Sequence, residues 1–183
     1  MKKILILALL LVLAGCAVWQ RVDNARAEAP DKSYTVDLPL GWVRLMLDSQ
    51  AIALTRDGFA LNRIYIQRLD LAKAFPQLKK HASAELLPSE LAEQQIAEAK
   101  TAAKETVLTV LENAPTLVGG QPGYRLRLQQ RNPRGLALDR VIYGCATAKG
   151  YFTLTYEAPA LHYAARNLPE FEKTVASFRL AAN

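Results

Sequence analysis

Cysteine and histidine are scarce in this chain, with two of each in 183 residues. No His or Cys pair stands at a metal-ligand spacing, so no metal site and no metal cofactor are expected. The Gly-x-Ser-x-Gly elbow of the α/β-hydrolases is missing as well. His81 lies in the run Lys79-Lys80-His81 and His162 follows Pro159; neither has a neighbouring carboxylate to orient it, and both read as solvated. The stretch Gly119-Gly120-Gln121-Pro122-Gly123 leads into a strand rather than a helix N-terminus, so it reads as a turn and not a phosphate cradle. Paired carboxylates stay open, because such pairs form in space. No apolar run reaches the roughly 20 residues a membrane-spanning helix needs. These scarcities point away from an enzyme and away from cofactors.

What is present starts at the N-terminus. Lys2 and Lys3 precede an unbroken apolar run from Ile4 to Ala14, the basic and apolar regions of a secretory signal. Leu13-Ala14-Gly15-Cys16 resembles the bacterial lipobox, after which a lipid-carrying cysteine becomes the mature N-terminus. That resemblance implies a signal over residues 1–15, lipidation at Cys16 and anchoring in the cell envelope. The alternative is an ordinary cleaved signal with an incidental cysteine. Ala17, rather than Asp, resembles the sorting signal for the outer membrane, so the expected address is its periplasmic face. With the Cys16 thiol consumed by lipid, Cys145 has no disulfide partner. Its neighbours Ile142, Tyr143 and Ala146 lower no thiol pKa, which favours a small buried hydrophobe over a reactive thiol.

The whole chain carries a formal charge of +6, and losing Lys2 and Lys3 with the signal reduces it by two. A mild excess of this size, on an exported chain, argues against a nucleic-acid partner. Anionic headgroups beside the anchor account for it more simply.

Residues 16–32 read as the lipidated cysteine and a tether, with a reach of roughly 20–25 Å for a flexible chain. Trp19 reads as an interfacial residue. Residues 33–183 read as one domain. Tyr34, Val36 and Leu38 alternate as a half-buried strand; Val43 and Leu45, Ile52 and Leu54, and the run from Ala60 to Leu69 follow, the last after an Asp57-Gly58 turn. The period then lengthens. Asp70 is placed to cap a short helix that Pro76 ends, and a longer helix follows Pro88, with Leu91 or Ala92, Ile96, Ala99 and Ala103 as its stripe. Strands return over 107–112, 116–118, 124–129, 136–147 and 151–156, with Asn113-Ala114-Pro115 dividing the first two. Leu168, Phe171, Val175 and Phe178 mark a closing helix that has Pro169 near its start. Strands, helices, strands and a helix in that order make an α+β domain with a largely antiparallel sheet.

Tyr34-Thr35-Val36-Asp37-Leu38-Pro39-Leu40-Gly41-Trp42 resembles the opening of PsbP-like domains, the group that includes the photosystem II extrinsic subunit and the DcrB lipoproteins. Gly120 to Leu126 resembles that group's turn into a central strand, and Pro169 to Phe178 its closing helix. The resemblance implies a sheet flanked by helices as an α/β/α sandwich, in proteins that mostly act as non-catalytic partners of larger assemblies. One charged constellation remains. Arg125 and Arg127 project from one side of their strand, and Arg63 and Arg140 lie on strands that could stand beside them. Such a face would suit an anionic partner through bidentate guanidinium donors, or it is a solvated face, or stems packed under a helix. The expected role is a lipid-anchored envelope protein that binds a protein partner or stabilises an assembly. A binding domain for a small anionic or lipidic ligand is the alternative.

Overall fold

The computed structural model describes residues 19–46, 51–103 and 106–181. Cys16 and the signal read over residues 1–15 lie outside them. Ten strands precede or follow two α-helices in the order β1 (Trp19–Arg21), β2 (Arg26–Glu28), β3 (Tyr34–Asp37), β4 (Val43–Leu45), β5 (Ala51–Thr55), β6 (Arg63–Leu69), α1 (Pro88–Ala103), β7 (Val107–Val118), β8 (Gln121–Arg131), β9 (Ala137–Thr147), β10 (Gly150–Pro159) and α2 (Tyr163–Ser177). A two-residue strand, β11 (Arg179–Leu180), ends the described chain, and one 3₁₀ turn (Leu71–Lys73) stands where the short capped helix is expected.

All pairings are antiparallel, and the main sheet runs β1-β4-β5-β6-β10-β9-β8-β7. A second sheet, β11-β3-β2, joins both ends of the described chain. The α+β class and the antiparallel sheet flanked by helices are as the alternation of the sequence requires. The two faces of the sheet have separate cores. Tyr124, Leu126, Leu128, Ile142 and Tyr151 pack under α1 with Leu91, Ala92 and Ala99. Val141, Tyr143, Phe152, Leu154 and Tyr156 pack on the opposite face with Phe171, Val175 and Phe178 around α2. The alanines of α1 let it lie close to the strands. Glu90 of its first turn accepts from Leu87 N at 2.9 Å, and Glu98 accepts from the amides of Gln77 and Leu78, so the helix also holds the loop before it.

Three expectations need correction. Residues 19–32 are not a tether: β1 pairs with β4, β2 pairs with β3, and Val22 and Ala29 are buried. Asn113-Ala114-Pro115 does not divide a strand, because β7 is the sheet edge, where proline's missing N–H costs no ladder bond; a register shift between Val110 and Glu112 absorbs the irregularity. Pro169 lies inside α2, which starts six residues earlier at Tyr163.

Candidate functional site

Strand register decides where the four arginines go. Arg125 pairs with Tyr143 and Arg127 with Val141, so both point to the α2 face. Arg140 stands opposite Leu128 on β8 and opposite Glu157 on β10, and Glu157 stands opposite Arg63 on β6. That row points to the α1 face. The expectation that all four share one basic face is therefore corrected: they divide two and two across the sheet, because Arg140 is one residue from Val141 and side chains alternate.

Each set is met by carboxylates. Beneath α2, Arg125 donates from Nε to the Tyr143 hydroxyl at 2.7 Å and from Nη2 to Glu172 of the helix at 3.0 Å, and its Nη1 pairs with Glu112. Tyr143 also donates to Glu172, and the guanidinium carbon lies 5.6 Å from the Tyr143 ring centroid. Burial works against the Arg125 charge, but the bonds to Glu112, Glu172 and Tyr143 outweigh it and hold the group more basic than an ordinary arginine. The Tyr143 phenol is pushed up to about 12, first by burial and then by its bond to Glu172. Arg127 donates to the buried Asp139 at 2.7 Å, and Gln129 fills that carboxylate's other oxygen at 2.9 Å. Two guanidiniums face three carboxylates here, so this face has no positive surplus. On the α1 face, Glu157 is shared between Arg63 and Arg140, the latter at 2.7 Å from Nε and 2.6 Å from Nη2. This row keeps one net positive charge. Arg125 and Arg127 thus act as cross-braces between strands and helix, with stems in the packing.

Cys145, Tyr124 and Tyr151 are withdrawn from solvent. Cys145 is fully buried, and burial pushes its thiol up to about 12. Tyr124 and Tyr151 share a buried hydroxyl contact, and Tyr151 donates on to Gln95 at 2.8 Å, closing a polar line inside the α1 core. A Cβ at Gly123 would fall on the Gly144 carbonyl, so these two glycines allow β8 and β9 to carry that core. His81 and His162 are exposed. Among the described residues, no three of His, Cys, Asp and Glu gather as a metal site, and no helix is long and apolar enough to cross a membrane.

No family model and no curated protein matches the chain. Its architecture does match solved structures. The Ran-binding protein Mog1 of Saccharomyces cerevisiae superposes at TM-score 0.56 with 12% identity, over 86% of this chain and 95% of its own. Cyanobacterial PsbP (CyanoP) of Synechocystis sp. PCC 6803 does so at TM-score 0.51 with 12% identity, over 91% and 95%. The fold is PsbP- and Mog1-like. A protein of Bacteroides thetaiotaomicron gives TM-score 0.54 at 9% identity over 87% of this chain, which spans only 49% of that longer one.

In this PsbP- and Mog1-like frame two open clefts stand out, one of about 420 Å³ between residues 37–40 and the side of α2 that carries Glu170 and Ser177, the other at the β1 end of the sheet. The cleft at the β1 end, of about 390 Å³, has Arg21, Arg26 and Arg44 together with Gln20, Asp23 and Glu28 in its lining. Arg21 meets Asp23 at 3.5 Å and Arg26 meets Asp37 at 3.2 Å. Among the described residues Arg44 meets no carboxylate, and its Nε is buried without an acceptor. On the other side of the sheet a row of rings runs Trp19, Phe59, Tyr65, with centroids 5.4 and 6.0 Å apart. Trp19 is 48% exposed and Met46 46% exposed. Alternation in the sequence places Arg44 on the face opposite Val43 and Leu45 but does not single it out as a functional residue. What one strand's pattern does not contain is the register that sets Arg44 beside Gln20 of β1 and Leu54 of β5.

Proposed function

We propose that this is a lipid-anchored protein of the bacterial envelope, tethered through Cys16 and acting by binding a protein partner or stabilising an assembly, without catalysis. The observation that carries the non-catalytic part is the closure of the charged groups on themselves. Arg63, Arg125, Arg127 and Arg140 are spent on carboxylates within the fold, and the displaced titrations of Cys145, Tyr124, Tyr143, Tyr151 and Tyr156 all run upward under burial, away from a working acid or base near neutrality. Mog1 is a Ran-binding protein on this kind of fold, so partner binding is supported here by fold analogy alone. The lipobox resemblance and Ala17 support the anchor and the outer membrane. A second reading, a binding domain for a small anionic or lipidic ligand, draws on the Arg44 cleft.

The anchor is tested by mass spectrometry of the mature N-terminus. A diacylglyceryl-modified Cys16, lost in Cys16→Ser, is expected; an unmodified N-terminus at another residue overturns the assignment. The partner is tested by cross-linking in intact envelopes. A reproducible adduct of fixed mass is expected, and recovery of the chain alone across cross-linkers of several lengths removes the partner reading.

A further inference from the structure

We propose that the β1 end of the main sheet is seated edge-on against the lipid surface that holds the anchor, with the Trp19 ring row on one side of the edge and the Arg44 cleft on the other. This rests on the reading of Cys16 as the anchored residue. The covalent limit comes first. Trp19 already belongs to the fold, in register with Leu45, and three residue steps separate it from Cys16. An extended chain covers at most about 3.6 Å per residue, so Trp19 lies within roughly 11 Å of the anchored cysteine. A domain attached through Ala17 and Val18 alone has no slack to stand clear of the headgroups.

The surface brought to that distance has the right chemistry on both sides. Trp19, half exposed and backed by Phe59 and Tyr65, presents amphipathic rings of the type that collect at the headgroup level. Exposed Met46, one residue beyond the Trp19 partner Leu45, adds apolar surface at the same end. Across the sheet, Gln20 and Arg44 are register partners and both line the cleft. Among the described residues, Arg44 is the cleft guanidinium without a carboxylate in ion-pair range. Arg44 is itself only partly buried and lines the cleft, so a phosphodiester oxygen entering the cleft can meet its guanidinium there and supply the missing negative charge. Arg63, Arg140 and Glu157 add one net positive charge on the Trp19 side of the sheet. Strand addition by another chain is the competing use of a free edge, but β1 is three residues long and ends on Arg21, a short and charged template.

The test uses the full lipidated chain in vesicles of phosphatidylglycerol and phosphatidylethanolamine whose acyl chains are brominated near the headgroup. Trp42 is fully buried, so the difference between wild type and Trp19→Phe isolates Trp19 emission. At least a twofold loss of that emission in brominated over plain lipid is expected. Replacing phosphatidylglycerol by phosphatidylcholine should reduce the loss, and Arg44→Gln should abolish this dependence on anionic lipid. A lipidated chain whose Trp19 is unquenched overturns the seating alone, as does a β1 residue cross-linked to a strand of another protein. An unlipidated Cys16 in the mass spectrum of the same sample removes the anchor reading, and this one with it.

Discussion

Phe178→Ala is the most exacting probe of how the layers are joined. Phe178 is the residue after α2, fully buried, with its ring centroid 5.1 Å from that of Tyr34 and 6.2 Å from that of Phe152. One side chain therefore couples the C-terminal helix, the small sheet and the main sheet. Truncating a buried phenylalanine costs about 3–5 kcal/mol, and the value within that range depends on how far the site can collapse. Collapse is poor here. The ring lies against the bare backbone of Gly119, where even a Cβ would stand 3.0 Å from Phe178 Cδ1; that glycine has a φ of +59° and no side chain to swing into the void. The expected loss is therefore at the upper end, about 4–5 kcal/mol, equivalent to roughly 8–20 °C of melting temperature for a chain of this size. Urea denaturation followed by the emission of buried Trp42 reads it. A loss below about 2 kcal/mol would show that the void is refilled and that Phe178 is not the joint described.

Replacing Arg125 and Arg127 together by Gln should destabilise rather than merely alter the surface. Glu112, Glu172 and Asp139 would be left without their guanidiniums, at an expected cost of about 1–3 kcal/mol after allowance for partial exposure; an unchanged denaturation midpoint would return both to solvated decoration. Cys145, buried and with its thiol pushed up to about 12, should resist maleimide at pH 8 in the folded chain and react within minutes once unfolded. Labelling at equal rates in both states would refute the burial.

Much of the sheet could be read directly from alternation. Tyr124, Leu126 and Leu128 form one buried face of β8 because every second residue is apolar, and the stripe of α1 follows from its period. The arginines were harder. Alternation places Arg125 and Arg127 together, but whether Arg140 joins them depends on the register of β9, which one strand's pattern does not contain. Glu172 was legible only as a polar residue beside Phe171; its bond to Arg125 requires the crossing of α2 over β8 to be known. The strands β1 and β2 left no burial signature, since Trp19, Gln20 and Arg21 are all exposed and only backbone pairing makes them a strand. An exposed three-residue edge therefore looks like a tether.

The small β11-β3-β2 sheet also bears on the order in which the molecule is made. Arg179 and Leu180 pair with Thr35 and Tyr34, and Phe178 closes on Tyr34 across nearly the whole length of the chain. Contacts of such sequence separation are slow to form, because the intervening loop entropy is lost before they contribute. They also do not exist until the last residues are available. The β8-β9-β10 meander is built from neighbouring strands, whereas β3 gains its β11 partner only once Arg179 and Leu180 are in place. The main sheet can therefore precede the small one, and Phe178 to Leu180 act as the clasp that joins the two.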